Sequence, residues 1–158
     1  MLIEADTGIL LRLVDRADPQ HAAVRASVRL IKQRGDVLVT TAQNIAEFWN
    51  VCTRPVTARG GFGLSVDETH KRLRLVERLI RVLPDSAASY SIWKQLIVTH
   101  AVIGVQVHDA RLVALLQVHG VTHILTLDTA DFRRYPSITA LSPTDLLATQ
   151  SPSQGNKP

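Results

Sequence analysis

The alternation of short apolar strands with longer helices is the feature that most limits what this chain can fold into. Apolar and β-branched runs predict strands at Leu2–Asp6, Val37–Thr40, His123–Leu127 and Ile138–Leu141. Between them, helical patterns and capping signals predict six helices. These are Thr7–Val14, Gln20–Arg34, a helix capped by Thr41 or Thr40 that runs to about Thr53, a helix capped by Ser65 that runs to about Val82, Ser86–His100 and Val107–His119. Strands separated by helices are typical of a parallel α/β sheet with crossover connections.

The length and composition indicate one globular domain. With 158 residues, of which 46% are hydrophobic, the chain has enough apolar surface for one core. We expect a single domain over residues 1–148, followed by a disordered tail over 149–158, because Ser151–Pro158 lacks apolar residues. The single cysteine, Cys52, excludes a disulfide scaffold. Without a signal-peptide pattern or a membrane-length apolar run, the expected location is the cytoplasm.

The acidic residues divide into two groups. Many of the 14 acids lie at helix starts or turns, where local structure explains them. Asp6 and Asp128 instead end two predicted strands, and the carboxyl ends of parallel strands are where such sheets bind ligands. Glu47 and Asp109 lie in predicted helices with apolar neighbours, and Asp131 follows Asp128 closely. For each of them the alternative is a structural role, either as a helix or turn cap or as an exposed charge.

Several carboxylates in one pocket would require a cation. Their charges repel one another, and burial raises their pKa values further. A hard divalent ion such as Mg²⁺ or Mn²⁺ removes that penalty and takes oxygen ligands. Such an ion also activates water and stabilises a phosphodiester under attack. The chain has 18 Lys and Arg residues and a formal net charge of +4, so a basic surface around an acidic pocket is the balance expected of a nuclease.

Four short motifs, in order, resemble those of PIN-domain ribonucleases, and within that family the VapC-type toxins of toxin–antitoxin pairs. They cover about residues 1–142: the strand and helix of Leu2–Leu11, the segment Ala42–Pro55 with Ala-Glu-Phe at 46–48, the segment Val107–Ala114, and the segment Ile124–Phe132. Each motif is short, and the specificity of the resemblance comes from their order and spacing. The resemblance implies a PIN-like three-layer α/β/α sandwich with a central, mainly parallel sheet.

The same resemblance implies an Mg²⁺- or Mn²⁺-dependent endoribonuclease that hydrolyses RNA phosphodiester bonds. By position, Asp6, Glu47 and Asp109 correspond to metal ligands. The fourth acid is Asp128, Asp131 or both, and we rank Asp128 first because it directly follows a strand. The resemblance further implies a cognate antitoxin and a homodimer. The alternative is a PIN-like module that binds RNA or a protein without cutting.

Two threonines are expected near the candidate site, and two other positions differ from the family pattern. Thr7 and Thr126 match positions near the family's site, where they would orient carboxylates. Gly8 stands where Asn or Ser is common, so one polar contact is expected to be absent. Glu4 replaces an apolar strand residue, and we expect it to be a charge exposed at a sheet edge rather than an additional acid in the pocket.

Basic residues supply weaker candidates for RNA contacts. Arg54 and Arg59 flank a loop that contains Gly60, Gly61 and Gly63. This loop is expected to be either a flexible solvated connection or a mobile RNA contact near the mouth of the site. A basic helix is either a solvated face or a surface for phosphates or an antitoxin; its cations are Lys71, Arg72, Arg74, Arg78 and Arg81.

Overall fold

The computed structural model describes residues 1–149, and its centre is a five-stranded parallel sheet. The strands lie in the order β3-β2-β1-β4-β5, and every neighbouring pair is parallel. Their bounds are β1 Leu2–Ala5, β2 Val37–Thr41, β3 Arg81–Leu83, β4 His123–Leu125 and β5 Thr139–Leu141. The predicted α/β class with a central parallel sheet is confirmed.

Helices cover both faces of this sheet and make three layers. One hydrophobic core is formed by β1 and β2 with α1, α2, α3, α4 and α7, and a second is formed by β2 and β4 with α5 and α6. The helices are α1 Thr7–Val14, α2 His21–Gln33, α3 Ala42–Thr53, α4 Val66–Leu79, α5 Ser89–Thr99, α6 Val107–Val118 and α7 Pro143–Ala148. The predicted α/β/α sandwich is therefore confirmed.

Two elements were absent from the sequence prediction. The helix expected to reach Val82 ends at Leu79, and the chain then becomes extended at Ile80. Arg81–Leu83 pairs with Val39–Thr41 as the edge strand β3. The short helix α7 is capped by Ser142. The predicted tail overlaps the described chain only at residue 149, and residues 150–158 lie outside the described part.

The strand order reverses between β1 and β4. The chain passes from β1 to β2 and β3 on one side, then returns to β4 on the other side. In open parallel sheets the crevice at such a reversal, beyond the carboxyl ends of the strands, is where ligands bind. Asp6 follows β1 at this point, and its backbone N–H donates to the Leu125 carbonyl at the end of β4.

Within residues 1–149, no helix combines the length and apolar character needed to cross a bilayer.

Candidate metal centre

Asp6 lies where β1 gives way to α1, and it is the N-cap of that helix. Its Oδ1 accepts a 2.7 Å hydrogen bond from the Thr7 backbone N–H, and its Oδ2 accepts one of 2.7 Å from the Thr126 hydroxyl. Burial raises the pKa of Asp6, and the two hydrogen bonds oppose that rise. The nearby negative charges of Glu47 and Asp131 raise the pKa of Asp6 further.

Glu47 enters the same site from the second turn of α3. The Thr7 hydroxyl donates to its Oε2 at 2.7 Å, and the Gln43 amide donates to its Oε1 at 3.1 Å. Thr7 therefore bonds Asp6 through its backbone and Glu47 through its side chain. Both threonines named from the sequence thus donate a hydroxyl hydrogen bond to one carboxylate, Thr7 to Glu47 and Thr126 to Asp6. Their role in catalysis stays a prediction.

Asn44 is part of this network and was not among the residues selected from the sequence. Only 1% of its surface is exposed, and its amide nitrogen lies 3.3 Å from Oδ1 of Asp6 and 3.1 Å from the Thr7 hydroxyl. A half-turn of the amide places that nitrogen 3.2 Å from Oε1 of Glu4 instead. The usable sequence signal was its spacing, because Asn44 precedes Glu47 by three residues and so shares its helix face.

Glu4 is buried in the central strand, so the prediction of an exposed edge charge is wrong. Its exposed fraction is 0%, because β1 is paired on both sides and Glu4 lies in register with Val39 and Ile124. Burial among these neighbours raises the pKa of Glu4 well above its usual value, and the charges of Asp6 and Glu47 add to the rise. Its Oε2 has no hydrogen-bond partner within residues 1–149.

Asp109 approaches from the first turn of α6 and is partly buried. Burial raises its pKa to about 6, with further contributions from the negative charges of Asp131, Asp6 and Glu47. His108 partly opposes this rise. The pKa of Asp109 is thus affected by acids from three other parts of the chain: the end of β1, α3 and the segment after β4.

The segment after β4 carries Asp128 and Asp131, and their surroundings differ. Asp128 caps a 3₁₀ turn over Thr129–Phe132, where its Oδ1 accepts from the Ala130 N–H at 3.2 Å. Asp131 raises the pKa values of both Asp6 and Asp109 by its charge. The pKa of Asp131 is itself raised by burial and by Asp128, and lowered by Arg134. The charge of Asp131 thus acts on both Asp6 and Asp109, and the order of Asp128 and Asp131 as fourth ligand stays a prediction.

The donor set suits a hard cation, although the acids are not gathered around one point. Among residues 1–149, no three His, Cys, Asp or Glu side chains are arranged as a formed metal site. The charges of neighbouring acids nevertheless raise the pKa values of Glu4, Asp6 and Asp109, and Glu4 leaves a buried oxygen without a partner. A divalent cation would relieve this repulsion and would find only oxygen donors. The chemistry of the residues therefore fits Mg²⁺ or Mn²⁺.

The glycine-containing loop lies beyond the far end of α3. Arg54 is the C-cap of that helix, about 10 Å along the axis from Glu47 at the usual helical rise. The loop folds back onto the last turn of α3, where Phe62 N–H donates to the Val51 carbonyl and Leu64 N–H to the Cys52 carbonyl. Arg59 is exposed on this loop. Contacts of Arg54 and Arg59 with RNA stay a prediction.

The fold and the acids together define a class: a doubly wound parallel α/β protein with carboxylates at the point where its strand order reverses. A model of the PIN domain family matches residues 3–138. The chain belongs to the PIN domain family, as the resemblance predicted. PIN domains of VapC toxins are nucleases, which supports a hydrolase at that general level. PIN nucleases generally use divalent metal ions.

Solved structures with the same fold include several toxin–antitoxin complexes. VapBC2 from Rickettsia felis, bound to a promoter DNA fragment, is 12% identical, with a TM-score of 0.69 over 90% of this chain and 98% of that chain. FitAcB from Neisseria gonorrhoeae is 20% identical, with a TM-score of 0.66 and coverage of 90% and 98%. VapC20 from Mycobacterium tuberculosis, a sarcin-ricin loop cleaving toxin, is 18% identical, with a TM-score of 0.58 and coverage of 82% and 92%. No curated protein sequence matches the chain.

Proposed function

We propose that this protein is a divalent-cation-dependent endoribonuclease and the toxin of a toxin–antitoxin pair, acting in the cytoplasm. The observation that carries the proposal is that acids from separate segments lie close enough at the strand reversal for their charges to act on Asp109 and Asp6. Asp6 follows β1, Glu47 lies on α3, Asp109 begins α6 and Asp131 follows β4, and the charges of the other three raise the pKa of Asp109. Such repulsion is common at functional sites and is costly in a purely structural role.

The proposed ligands of Mg²⁺ or Mn²⁺ are Asp6, Glu47, Asp109 and a fourth acid after β4. We propose Asp131 as that fourth ligand, with Asp128 beside it as a cap of the 3₁₀ turn. When bound, such an ion would supply Lewis-acid stabilisation of a phosphodiester and would lower the pKa of a water molecule. Thr126 and Thr7 orient the carboxylates of Asp6 and Glu47 through their hydrogen bonds.

RNA is the proposed substrate because the chain combines this acidic centre with a net positive charge. Four more bases than acids leave cations on the surface to bind phosphates in a salt-dependent way. Arg54 and Arg59 are candidates for such contacts on the loop after α3. The family resemblance, rather than the site geometry, favours RNA over DNA.

The test compares charge-removing variants that keep side-chain shape. Asp6→Asn and Asp109→Asn should each abolish Mn²⁺-dependent RNA cleavage while circular dichroism shows an intact fold. Asp131→Asn should lower cleavage more than Asp128→Asn, and the opposite ranking would restore Asp128 as the fourth ligand. Undiminished cleavage by both Asp6→Asn and Asp109→Asn would overturn the nuclease assignment. RNA binding without cleavage in the wild type under saturating Mn²⁺ would favour the alternative, a non-catalytic binding module.

An apolar groove with a basic rim supports the antitoxin partner. The groove, of about 580 Å³, lies between α1, α2 and α4. Its apolar lining includes Leu75 and Leu79, which are both exposed, together with Leu13, Val14 and Val28. The cations around it are Arg16, Arg25, Arg29 and Lys32. A segment with one apolar and one acidic side complements this groove, and we propose that an antitoxin supplies it.

The antitoxin proposal is tested with the products of small reading frames that adjoin the gene. One of them should co-purify with the wild-type chain, and Leu75→Asp should weaken the complex strongly. The control is Val98→Asp, which changes an apolar residue on α5 that is still more exposed, at 76% against 50% for Leu75. Equal binding by both variants would contradict the proposal that the antitoxin binds in this groove.

We also propose a homodimer, by family resemblance, and light scattering tests it directly.

A further inference from the structure

A second polar and aromatic feature lies outside the acidic centre, between α5 and α6. Ser89, Tyr90, Trp93 and Arg111 line a surface pocket of about 320 Å³. This volume equals the space of about ten water molecules in the liquid, which is room for one planar base. The rings of Tyr90 and Trp93 have centroids 6.0 Å apart and are tilted by 41°.

The two aromatic side chains differ in how they are held. Trp93 is partly buried, and its indole N–H donates to the Val107 carbonyl at 3.1 Å, which fixes the ring against the start of α6. Tyr90 leaves 65% of its surface exposed. Trp93 also packs against the second core, whereas most of the Tyr90 ring beside it is left as an apolar surface open to solvent.

Arg111 connects this pocket to the acidic centre. It follows Asp109 by two residues on α6, and its Nη1 lies 3.5 Å from Oε1 of Gln43. The Gln43 amide nitrogen in turn donates to Oε1 of Glu47 at 3.1 Å and to the His108 carbonyl at 3.0 Å. The pocket is therefore one side chain removed from a proposed metal ligand.

Single-stranded nucleic acid is bound by this combination of groups. Any of the four bases can stack on an aromatic side chain, and an arginine close by binds phosphate or stacks on the base itself. We propose that the Tyr90–Trp93–Arg111 pocket binds one unpaired nucleobase of the RNA substrate, next to the phosphodiester held by the acidic centre. This proposal rests on the endoribonuclease function proposed above and adds a base subsite to it.

A second copy of the chain is the competing occupant, because aromatic side chains and arginine are also enriched where proteins contact one another. The position of the pocket favours a base instead, since Arg111 is connected to Glu47 through the side chain of Gln43. The exposed aliphatic residues Val98, Ile103 and Val105 lie at the end of α5 and in the segment that leads to α6, outside the pocket lining. The pocket itself pairs aromatic rings with a cation, which complements a base and its phosphate.

The experiment measures binding to three probes of equal length: oligouridylate, oligoadenylate and an abasic ribose–phosphate oligomer. All binding is measured by fluorescence anisotropy in the cleavage-deficient Asp6→Asn background, with the full chain. That background should bind the two base-containing probes about tenfold more tightly than the abasic one. Adding Tyr90→Ala should remove this preference with little change in binding to the abasic probe, and Tyr90→Phe should retain it.

Each other outcome has a defined meaning. Equal loss of affinity for all three probes, or no loss with Tyr90→Ala, would overturn the base subsite. Conversion of a dimer to a monomer by Tyr90→Ala in light scattering would also overturn it and identify a contact between copies. Cleavage by the wild-type chain is measured in parallel, so a missing base preference with intact Mn²⁺-dependent cleavage contradicts the subsite alone. Missing cleavage with an intact, Tyr90-dependent base preference contradicts the nuclease alone.

Discussion

The Thr126 hydroxyl donates a 2.7 Å hydrogen bond to Oδ2 of Asp6, and so connects the ends of two neighbouring parallel strands. β4 and β1 pair directly, and the Asp6 backbone N–H donates to the Leu125 carbonyl beside this contact. Because Thr126 is fully buried, its hydroxyl fixes the carboxylate in one orientation. The ends of the two strands thereby orient this acid.

Thr126→Val should therefore weaken metal binding more than a surface change does. The substitution keeps side-chain shape and removes the hydrogen bond, and loss of a partner that orients a ligand typically costs 10- to 100-fold in metal affinity, roughly. The Asp6 carboxylate also loses a buried partner, so the free energy of unfolding should fall by about 1–3 kcal/mol. Calorimetric titration with Mn²⁺ measures the affinity, and the exposed Thr139→Val is the control. Equal affinities in the two variants would contradict the role of Thr126.

Glu4→Gln should stabilise the metal-free protein at high pH. Burial raises the pKa of Glu4 in the folded chain, so as pH rises the unfolded chain loses this proton first. Ionisation therefore favours unfolding above the ordinary glutamate pKa. Glutamine stays neutral, and the gain should be at least about 1 kcal/mol at about pH 8, the worth of one pKa unit.

Denaturant unfolding at two pH values checks this prediction. At about pH 4 Glu4 is protonated in the folded chain as well, so the advantage of glutamine should vanish. Glu77→Gln changes an exposed glutamate on α4 and should have little effect at either pH. A gain of equal size at both pH values would show that packing, and not charge, explains the Glu4 result.

Mn²⁺ affinity should depend on pH through Asp109. Its pKa is raised to about 6 in the metal-free protein, and a ligand must lose its proton before it binds a cation. Affinity should therefore rise about tenfold per pH unit below about pH 6 and level off above it. The stability of the metal-free chain should change in the opposite direction, falling as pH rises from about 4 to about 6, because the unfolded chain ionises first.

Parallel titrations with Mn²⁺ and unfolding curves without metal measure both effects. Asp109→Asn should bind Mn²⁺ poorly at every pH and should lose less stability than the wild type between about pH 4 and about pH 6. An affinity that stays constant over the same range would contradict Asp109 as a ligand.

Local sequence signals predicted most of the fold, since most elements have their own pattern and caps. Thr41 is the N-cap of α3 and Ser65 is the N-cap of α4, and both residues were candidates for these caps from the sequence. The strand β3 escaped prediction because it has three residues and begins just after α4, so its apolar residues continue the helical pattern. Its strand character comes from pairing with β2, a tertiary contact that short-range patterns do not encode.

The candidate site also combines residues that local sequence signals could indicate with residues that depend on tertiary contacts. Asp6 and the segment after β4 could be placed from the sequence, because strand ends predict where a parallel sheet binds ligands. Glu4 could not, because its burial depends on β1 being central, which only the strand order determines. The roles of Asp128 and Asp131 depend on the folded structure in a similar way. The 3₁₀ turn uses Asp128 as its cap, and nothing in the local sequence distinguishes the two acids.

Gly61→Ala should destabilise the protein more than the neighbouring Gly60→Ala. A Cβ at Gly61 would overlap the Pro55 carbonyl oxygen and would lie 2.5 Å from the Arg54 carbonyl oxygen, both of them backbone atoms. At Gly60 a Cβ would meet no atom within 4 Å, and only its positive φ of 70° disfavours alanine.

Differential scanning calorimetry and denaturant unfolding compare the two variants. We expect a loss of about 1–3 kcal/mol from the overlap at Gly61 and of about 1 kcal/mol from the backbone strain at Gly60. The loop is bonded to the last turn of α3, the helix that carries Glu47, so Gly61→Ala should also lower cleavage while Gly60→Ala leaves it nearly unchanged. Equal stability losses would mean that the loop can move away from α3 at little cost, and the close packing at Gly61 would then have no role in positioning the site.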